Sequence, residues 1–269
     1  MHLLSGINLR AIFLPVFNAV AQCFESGPSQ QMGQDKSAGM KVQGVLRPSL
    51  SGQAYGRKPF IILQGIPEVM SYMYMPGATA VGVTFNDGVV LASDKRIAYG
   101  HLLVSKNIKK TFQITPKVAV ACAGLVADMQ LLTLQIAALA KIRKMELKRD
   151  VPTNSIAKMI SGSMYERRFF PYLTQVIVGG VVDKPTIYTL DPLGSVLPDE
   201  YAAVGTGAEM ALGVLDPQFK KGTAEEAVDL ATKAIRSASM RDSFTGDGID
   251  IMVIDGNGIR ELEADKIRV

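Results

Sequence analysis

The rhythm of apolar and polar positions changes at Ala78. Before it, the chain runs from "ESGPSQQMGQDKSAG" to "RPSLSGQAYGRKP", rich in Gly, Ser, Gln and Pro, with no sustained period of about 2 or 3.6. After it, "TAVGVTF" and "GVVLAS" read as two short strands joined at "NDG", where Asp87-Gly88 is expected to supply the positive φ values of a tight hairpin. A second pair follows in "KTFQI", the turn "TPK" and "VAVACAG". From Val126 to about Lys148 the chain is apolar almost all round, as in a helix buried between layers. Another helix is predicted from about Ser155 to Phe169, then strands at "TQVIVGGVV" and "TIYTLD" and a loop "DPLGSVLPD". Two more helices follow, one from about Gly207 to Leu215 and one at "TAEEAVDL", where Thr223 and Glu226 form a capping box. A hairpin, "GIDIMVID", "GNG" and "IRELEAD", closes the chain.

Strands in blocks, separated by helix pairs, predict antiparallel sheets with helices outside. The fold class is therefore α+β: a four-layer α/β/β/α sandwich of two antiparallel sheets between helix pairs. It occupies residues 78–269. Residues 1–77 are either a propeptide or an untranslated extension upstream of a start at Met73 or Met75, and they lack the periodicity of a folded element.

Composition narrows the chemistry. The 269 residues are 48% hydrophobic, with 29 basic against 25 acidic side chains interspersed, so a nucleic-acid surface is not indicated. Only His2 and His101 are histidines, which argues against a Ser/His/Asp triad, and no metal-ligand spacing occurs. No metal or organic cofactor is implied. Two cysteines, Cys23 and Cys122, make no disulfide framework and suit a reducing cytoplasm. The apolar run "AIFLPVFNAVAQCF" is too short to span a bilayer and is broken by Pro15. No clear small-residue cleavage site of a secretory signal follows it.

Several linked motifs carry a resemblance. "GATAVG" is followed by "ASDKR", "NIKK", "AGLVADMQ", "VGTGAE" and "RDSFTGDGID", in type and order similar to the β-subunits of the archaeal 20S proteasome, which are N-terminal nucleophile hydrolases. The resemblance implies a threonine endopeptidase particle in which a chain-terminal threonine hydroxyl attacks a peptide carbonyl. Its own amine, with a reference pKa of about 7.7 to 8.0, serves as base. Carried over by motif, Lys110 lowers the hydroxyl's pKa and Asp94 holds the lysine. Asp242, Ser243 and Thr245 support the amine, Thr206 lies beside it, and the Gly124 amide stabilises the oxyanion. Ile97, Ile108, Cys122 and Val126 match the family's specificity pocket, and core packing is the alternative for all four.

One position departs from the pattern. The family places its acid sixteen residues and its lysine thirty-two residues after the nucleophile; counting back from Asp94 and Lys110 reaches Ala78 both times, and Ala78 has no hydroxyl. Thr79 is adjacent, but in a regular strand its side chain points to the other face, and only a shift such as a bulge would bring it round. Two readings stay open. The chain cuts itself before Thr79 and uses that residue as nucleophile, or it is a non-catalytic ring subunit beside an active paralogue.

The resemblance further implies heptameric β rings stacked between α-subunit rings. Unfolded polypeptide would be delivered by a ring ATPase, with no nucleic acid or membrane as partner. A bacterial two-ring protease of the same hydrolase class is the alternative.

Overall fold

The computed structural model describes residues 77–264. Strands β1 (Thr79–Phe85) and β2 (Gly88–Asp94) are buried along their whole length because both of their faces are covered. The turn between them differs from expectation. Phe85 pairs with Gly88, so Asn86 and Asp87 form the turn, and neither of them nor Gly88 has a positive φ. Gly88 is required instead for space, since a Cβ there would lie 2.2 Å from the Ile254 carbonyl oxygen.

Further along, β3 (Ile97–Tyr99) and β4 (Leu102–Ser105) make a separate short hairpin, which the hydrophobic pattern did not announce. Next come β5 (Thr111–Thr115), β6 (Val118–Gly124), β7 (Thr174–Gly180), β8 (Thr186–Leu190) and β9 (Leu197–Asp199), which pair in that order as one antiparallel sheet. β10 (Tyr201–Gly205), β11 (Ile249–Asp255) and β12 (Gly258–Ala264) join β1 and β2 in the other sheet, in the order β10-β1-β2-β11-β12. β9 lies inside the stretch expected to be loop. Its three residues are all exposed, and only the cross-strand pairing to β8 reveals it.

Among the described residues, four helices cover the outer faces. Against the β5–β9 sheet, α1 (Val126–Leu147) and α2 (Thr153–Glu166) bury Met129, Leu132, Ile136, Ile156 and Met164 over Val120, Cys122 and Val178. On the other sheet, α3 (Ala208–Gln218) and α4 (Ala224–Ser239) bury Ala211, Leu215, Ala231 and Ile235 over Val81, Val83 and Val90. The two sheets meet through Ala80, Leu91, Ala121, Ile177 and Met252. Each large side chain so buried contributes about 1.5–3 kcal/mol. The order helix, sheet, sheet, helix is the predicted four-layer sandwich. The capping box on α4 is present, with Glu226 N–H on Thr223 Oγ1 at 3.3 Å and Thr223 N–H on Glu226 Oε2 at 2.8 Å.

α1 corrects one expectation. It is an outer-layer helix with one face on the sheet, and Leu131, Leu134, Leu139, Ile142 and Met145 on its other sides are exposed. The expected 1–77 extension falls outside the described residues up to 76.

Candidate active site at the start of the first strand

Strand alternation decides what the first residues of β1 can reach. Ala78 and Ala80 belong to the layer between the sheets, whereas Val81 and Val83 face the helices. Thr79 shares the helix-facing parity. Its Oγ1 lies 2.7 Å from Thr245 Oγ1, and a Cβ on Gly207 would come within 2.3 Å of it. Thr79 pairs with Gly205 and Ala80 with Ser93, and the register along β1 runs without a shift on either side, so no bulge turns the hydroxyl round.

The main chain of Thr79 belongs to a different group. Asp94, at the end of β2, accepts the Thr79 N–H at 3.0 Å and the Lys110 ammonium at 2.7 Å on Oδ1. Its Oδ2 accepts the N–H groups of Arg96 at 3.0 Å and Gly246 at 3.1 Å. Lys110 reaches the Arg96 carbonyl as well, at 2.5 Å. Both side chains of the pair are essentially inaccessible, at 1% and 0%. Burial pushes the Asp94 carboxyl above its usual value, against the pull of Lys110 and of its hydrogen bonds. Burial likewise lowers the Lys110 ammonium below its usual value, against the attraction of Asp94.

Asp242 anchors the hydroxyls. Its Oδ2 accepts from Thr206 Oγ1 at 2.5 Å and Thr245 Oγ1 at 2.6 Å, and its Oδ1 accepts the Phe244 N–H at 3.1 Å. Since Thr245 gives its only proton to Asp242, Thr79 is the donor to Thr245. Thr79, Thr245 and Asp242 thus form one chain of donors ending on a carboxylate. Ser243 is not part of it: its side chain is exposed, and only its carbonyl is used, by Arg96 Nη1 at 2.9 Å.

Gly124 ends β6 and, with Ala78, Ala123, Leu173, Thr174, Gln175, Pro192, Gly205 and Thr206, lines a cavity of about 290 Å³. Gly205 has φ +101°, and a Cβ on it would lie 1.9 Å from the Ala78 carbonyl oxygen, so only glycine lets β10 close on β1 here. Gln175 supports that turn by accepting the Gly205 N–H at 2.7 Å. No motif singles out Leu173, Gln175 and Pro192 as cavity residues. The pairing of Gly124 with Thr174 is the feature that brings them there.

The four pocket candidates do not line this cavity. Ile97 and Cys122 are buried, Ile108 and Val126 half-buried. Cys122 packs under α1, and burial pushes its thiol up to about 12. Among the described residues no cluster of three or more His, Cys, Asp or Glu could hold a metal ion, and no helix is long and apolar enough to cross a membrane.

Comparison with known proteins gives the family. The family model described as "Proteasome subunit" matches residues 75–254. Proteasome subunit beta 1 of Cenarchaeum symbiosum is 76% identical over 189 residues, 70% of this chain and 98% of the relative. Proteasome subunit beta 1 of Nitrosopumilus maritimus is 75% identical over 191 residues, 71% of this chain and 96% of the relative. A more distant relative, proteasome subunit beta 2 of Pyrobaculum aerophilum, is 46% identical over 189 residues, 70% of this chain and 93% of the relative. The chain belongs to the proteasome subunit family, among the archaeal β-subunits of the core.

Proposed function

We propose that this chain is a non-cutting β-subunit, which fills ring positions and shapes the degradation chamber while a paralogue with a threonine at the matching position hydrolyses peptide bonds. The observation that carries this reading is the division at β1. The position sixteen residues before Asp94 is Ala78, and the neighbouring Thr79 hydroxyl faces Thr245, where it is buried and its proton committed. Neither residue offers a hydroxyl to Lys110, whose ammonium is bonded to Asp94 and the Arg96 carbonyl.

The hydrogen bonds around the Ala78–Thr79 peptide weigh against self-cleavage. Its carbonyl accepts the Thr206 N–H at 2.9 Å, an ordinary contact between paired strands. The Thr206 hydroxyl is 3.4 Å away, and its single proton is taken by Asp242 at 2.5 Å. One backbone donor does not make an oxyanion hole of the kind acyl transfer needs.

In this reading the partners are α-subunits, neighbouring β-subunits with an active paralogue among them, and unfolded polypeptide fed by a ring ATPase in the cytoplasm. The apolar side of α1 that is exposed in the single chain, Leu131 to Met145, supports burial against another subunit. Residues 1–77 are an extension that the β-subunit fold does not need, a reading supported by the match of 98% of the Cenarchaeum relative to only 189 residues of this chain.

The test is the N-terminal sequence and intact mass of the chain from assembled particles, with peptidase assays of particles built from this chain alone. The expected result is a chain that does not begin at Thr79 and no hydrolysis. Replacing Ala78→Thr is expected to create a free terminal threonine and peptidase activity from none. A natural chain beginning at Thr79 and cutting a fluorogenic peptide would sink the reading.

A further inference from the structure

The motif "ASDKR" ends in a residue to which the family chemistry above assigns nothing, yet the structure ties it to the site through both its main chain and its side chain. Arg96 Nε donates to Asp247 Oδ2 at 2.7 Å and Nη1 donates to the Ser243 carbonyl at 2.9 Å. Its own N–H goes to Asp94 Oδ2 at 3.0 Å, and its carbonyl accepts from Lys110 at 2.5 Å. The arginine therefore touches the acid and the lysine through its main chain and grips the far loop with its side chain.

Arg96 supplies the loop's one tie to a guanidinium among the described residues. Between the end of α4 at Ser239 and the start of β11 at Ile249 the chain has no helix or strand, yet it carries Asp242 and Thr245. Asp247 has φ +66°, a left-handed conformation that is uncommon outside glycine and that aspartate tolerates better than most residues. At Gly246 a Cβ would lie 2.6 Å from the Arg96 guanidinium, so the loop backbone rests against the arginine side chain. The other ties are the hydroxyl bonds described above, Thr206 to Asp242 at 2.5 Å and Thr79 to Thr245 at 2.7 Å, together with Gly246 N–H to the Asp94 carboxylate at 3.1 Å and Lys95 N–H to the carbonyls of Gly246 and Gly248, both at 3.2 Å.

We infer that Arg96, with Asp247 as its carboxylate partner, is the positioning residue of the site: one planar fork sets the loop bearing Asp242 and Thr245 and, through the residue 96 carbonyl, the lysine. A guanidinium suits this task because its two donors leave one rigid plane toward two acceptors at once. Lysine offers the charge without that geometry. The charged groups facing Lys110 are Asp94 from β2, Asp242 from the loop and Asp250 from β11. If residue 96 shifts, Lys110 loses an acceptor that favours its charged form, and its pKa falls.

The catalytic part of the test rests on the reading of Ala78 above, and a second part does not. In assembled particles carrying Ala78→Thr, adding Arg96→Lys is expected to lower kcat about 10²-fold, the effect of an ångström-scale misplacement, with KM within about twofold. The alkaline limb of the pH profile is expected to move to lower pH, and Asp247→Asn is expected to act in the same direction less strongly. Independently, Arg96→Lys in the otherwise natural chain is expected to speed amide exchange at residues 243–248 about tenfold, leaving the β11–β12 turn unchanged. Unchanged exchange at 243–248 overturns the inference. So does faster exchange accompanied by an unmoved kcat and pH profile, because Arg96 is then merely structural. If Ala78→Thr particles are inert, the reading of Ala78 fails, and the exchange measurement still decides whether Arg96 holds the loop, with unchanged exchange overturning the inference.

Discussion

Thr79 divides its atoms between two buried polar groups of different character. Its N–H ends on Asp94 in the ion pair with Lys110, and its hydroxyl ends, through Thr245, on Asp242. In the first group two full charges are withdrawn from water and burial works against both. In the second a single carboxylate is satisfied by two hydroxyls and an amide. The difference teaches that adjacency along a strand shares backbone environment and separates side chains. Thr79 inherits the main-chain contact with the acid and is denied a side-chain contact with the lysine.

The ion pair is where the comparison breaks most easily. Lys110→Met leaves Asp94 buried with only the N–H groups of Thr79, Arg96 and Gly246, and is expected to cost about 3–5 kcal/mol. Asp94→Asn combined with Lys110→Met removes both charges and is expected to recover a large part of that. Denaturant unfolding of the same particles at one subunit concentration reads both, since assembly shifts apparent stability. Equal losses in the single and double variants would show that the two residues do not act as a pair.

A smaller effect is expected on the hydroxyl side. Thr245→Val strips a donor from Asp242 and the acceptor from Thr79 Oγ1, at an expected cost of about 1–3 kcal/mol. Thr79→Val removes one end of the chain and leaves the Thr245 bond to Asp242 in place, so about 1 kcal/mol is expected. The order of the two losses is the informative result. A larger loss for Thr79→Val would mean that the Thr79 hydroxyl, rather than the Thr245 bond to the Asp242 carboxylate, is the contact that matters.

How far the sequence foretells all this depends on the kind of interaction. Asp94, Lys110, Thr206, Asp242 and Thr245 are named by motif spacing; the sheet order β10-β1-β2-β11 brings together the end of β2 with Asp94, the residue after β10 and the loop before β11, while Lys110 comes from just before β5 in the other sheet. Ser243 is named with them, but within "RDSFTG" nothing in the spacing says which side chains turn inward, and its own is exposed. Arg96 stands in its motif without a role, since its partners lie in a loop without periodicity, at sequence separations of 151 and 147. The β1–β2 hairpin is legible and its turn is not: "NDG" fits two placements, and the Phe85–Gly88 pairing selects Asn86-Asp87. β3, β4 and β9 are too short to display an alternation, being three or four residues each.

The same alternation that separates Ala78 from Thr79 recurs on β6, and Cys122 gives the mildest test of it. Ala121 and Ala123 face the opposing sheet and Ala123 lines the cavity, whereas Cys122 and Val120 face α1. The Cys122 thiol is fully buried and pushed up to about 12, so at pH 8 it is almost wholly protonated and shielded from reagent. Native particles are expected to leave Cys122 unmodified by iodoacetamide over hours, and guanidinium-unfolded chain to react at the rate of a free thiol, both read by peptide mass. Cys122 is also one of the four residues proposed for a specificity pocket, and the experiment bears on that proposal. Native labelling at the free-thiol rate would mean that a pocket opens from solvent through to the helix side of β6, and the strand's two faces would then not be sealed from one another as the packing implies.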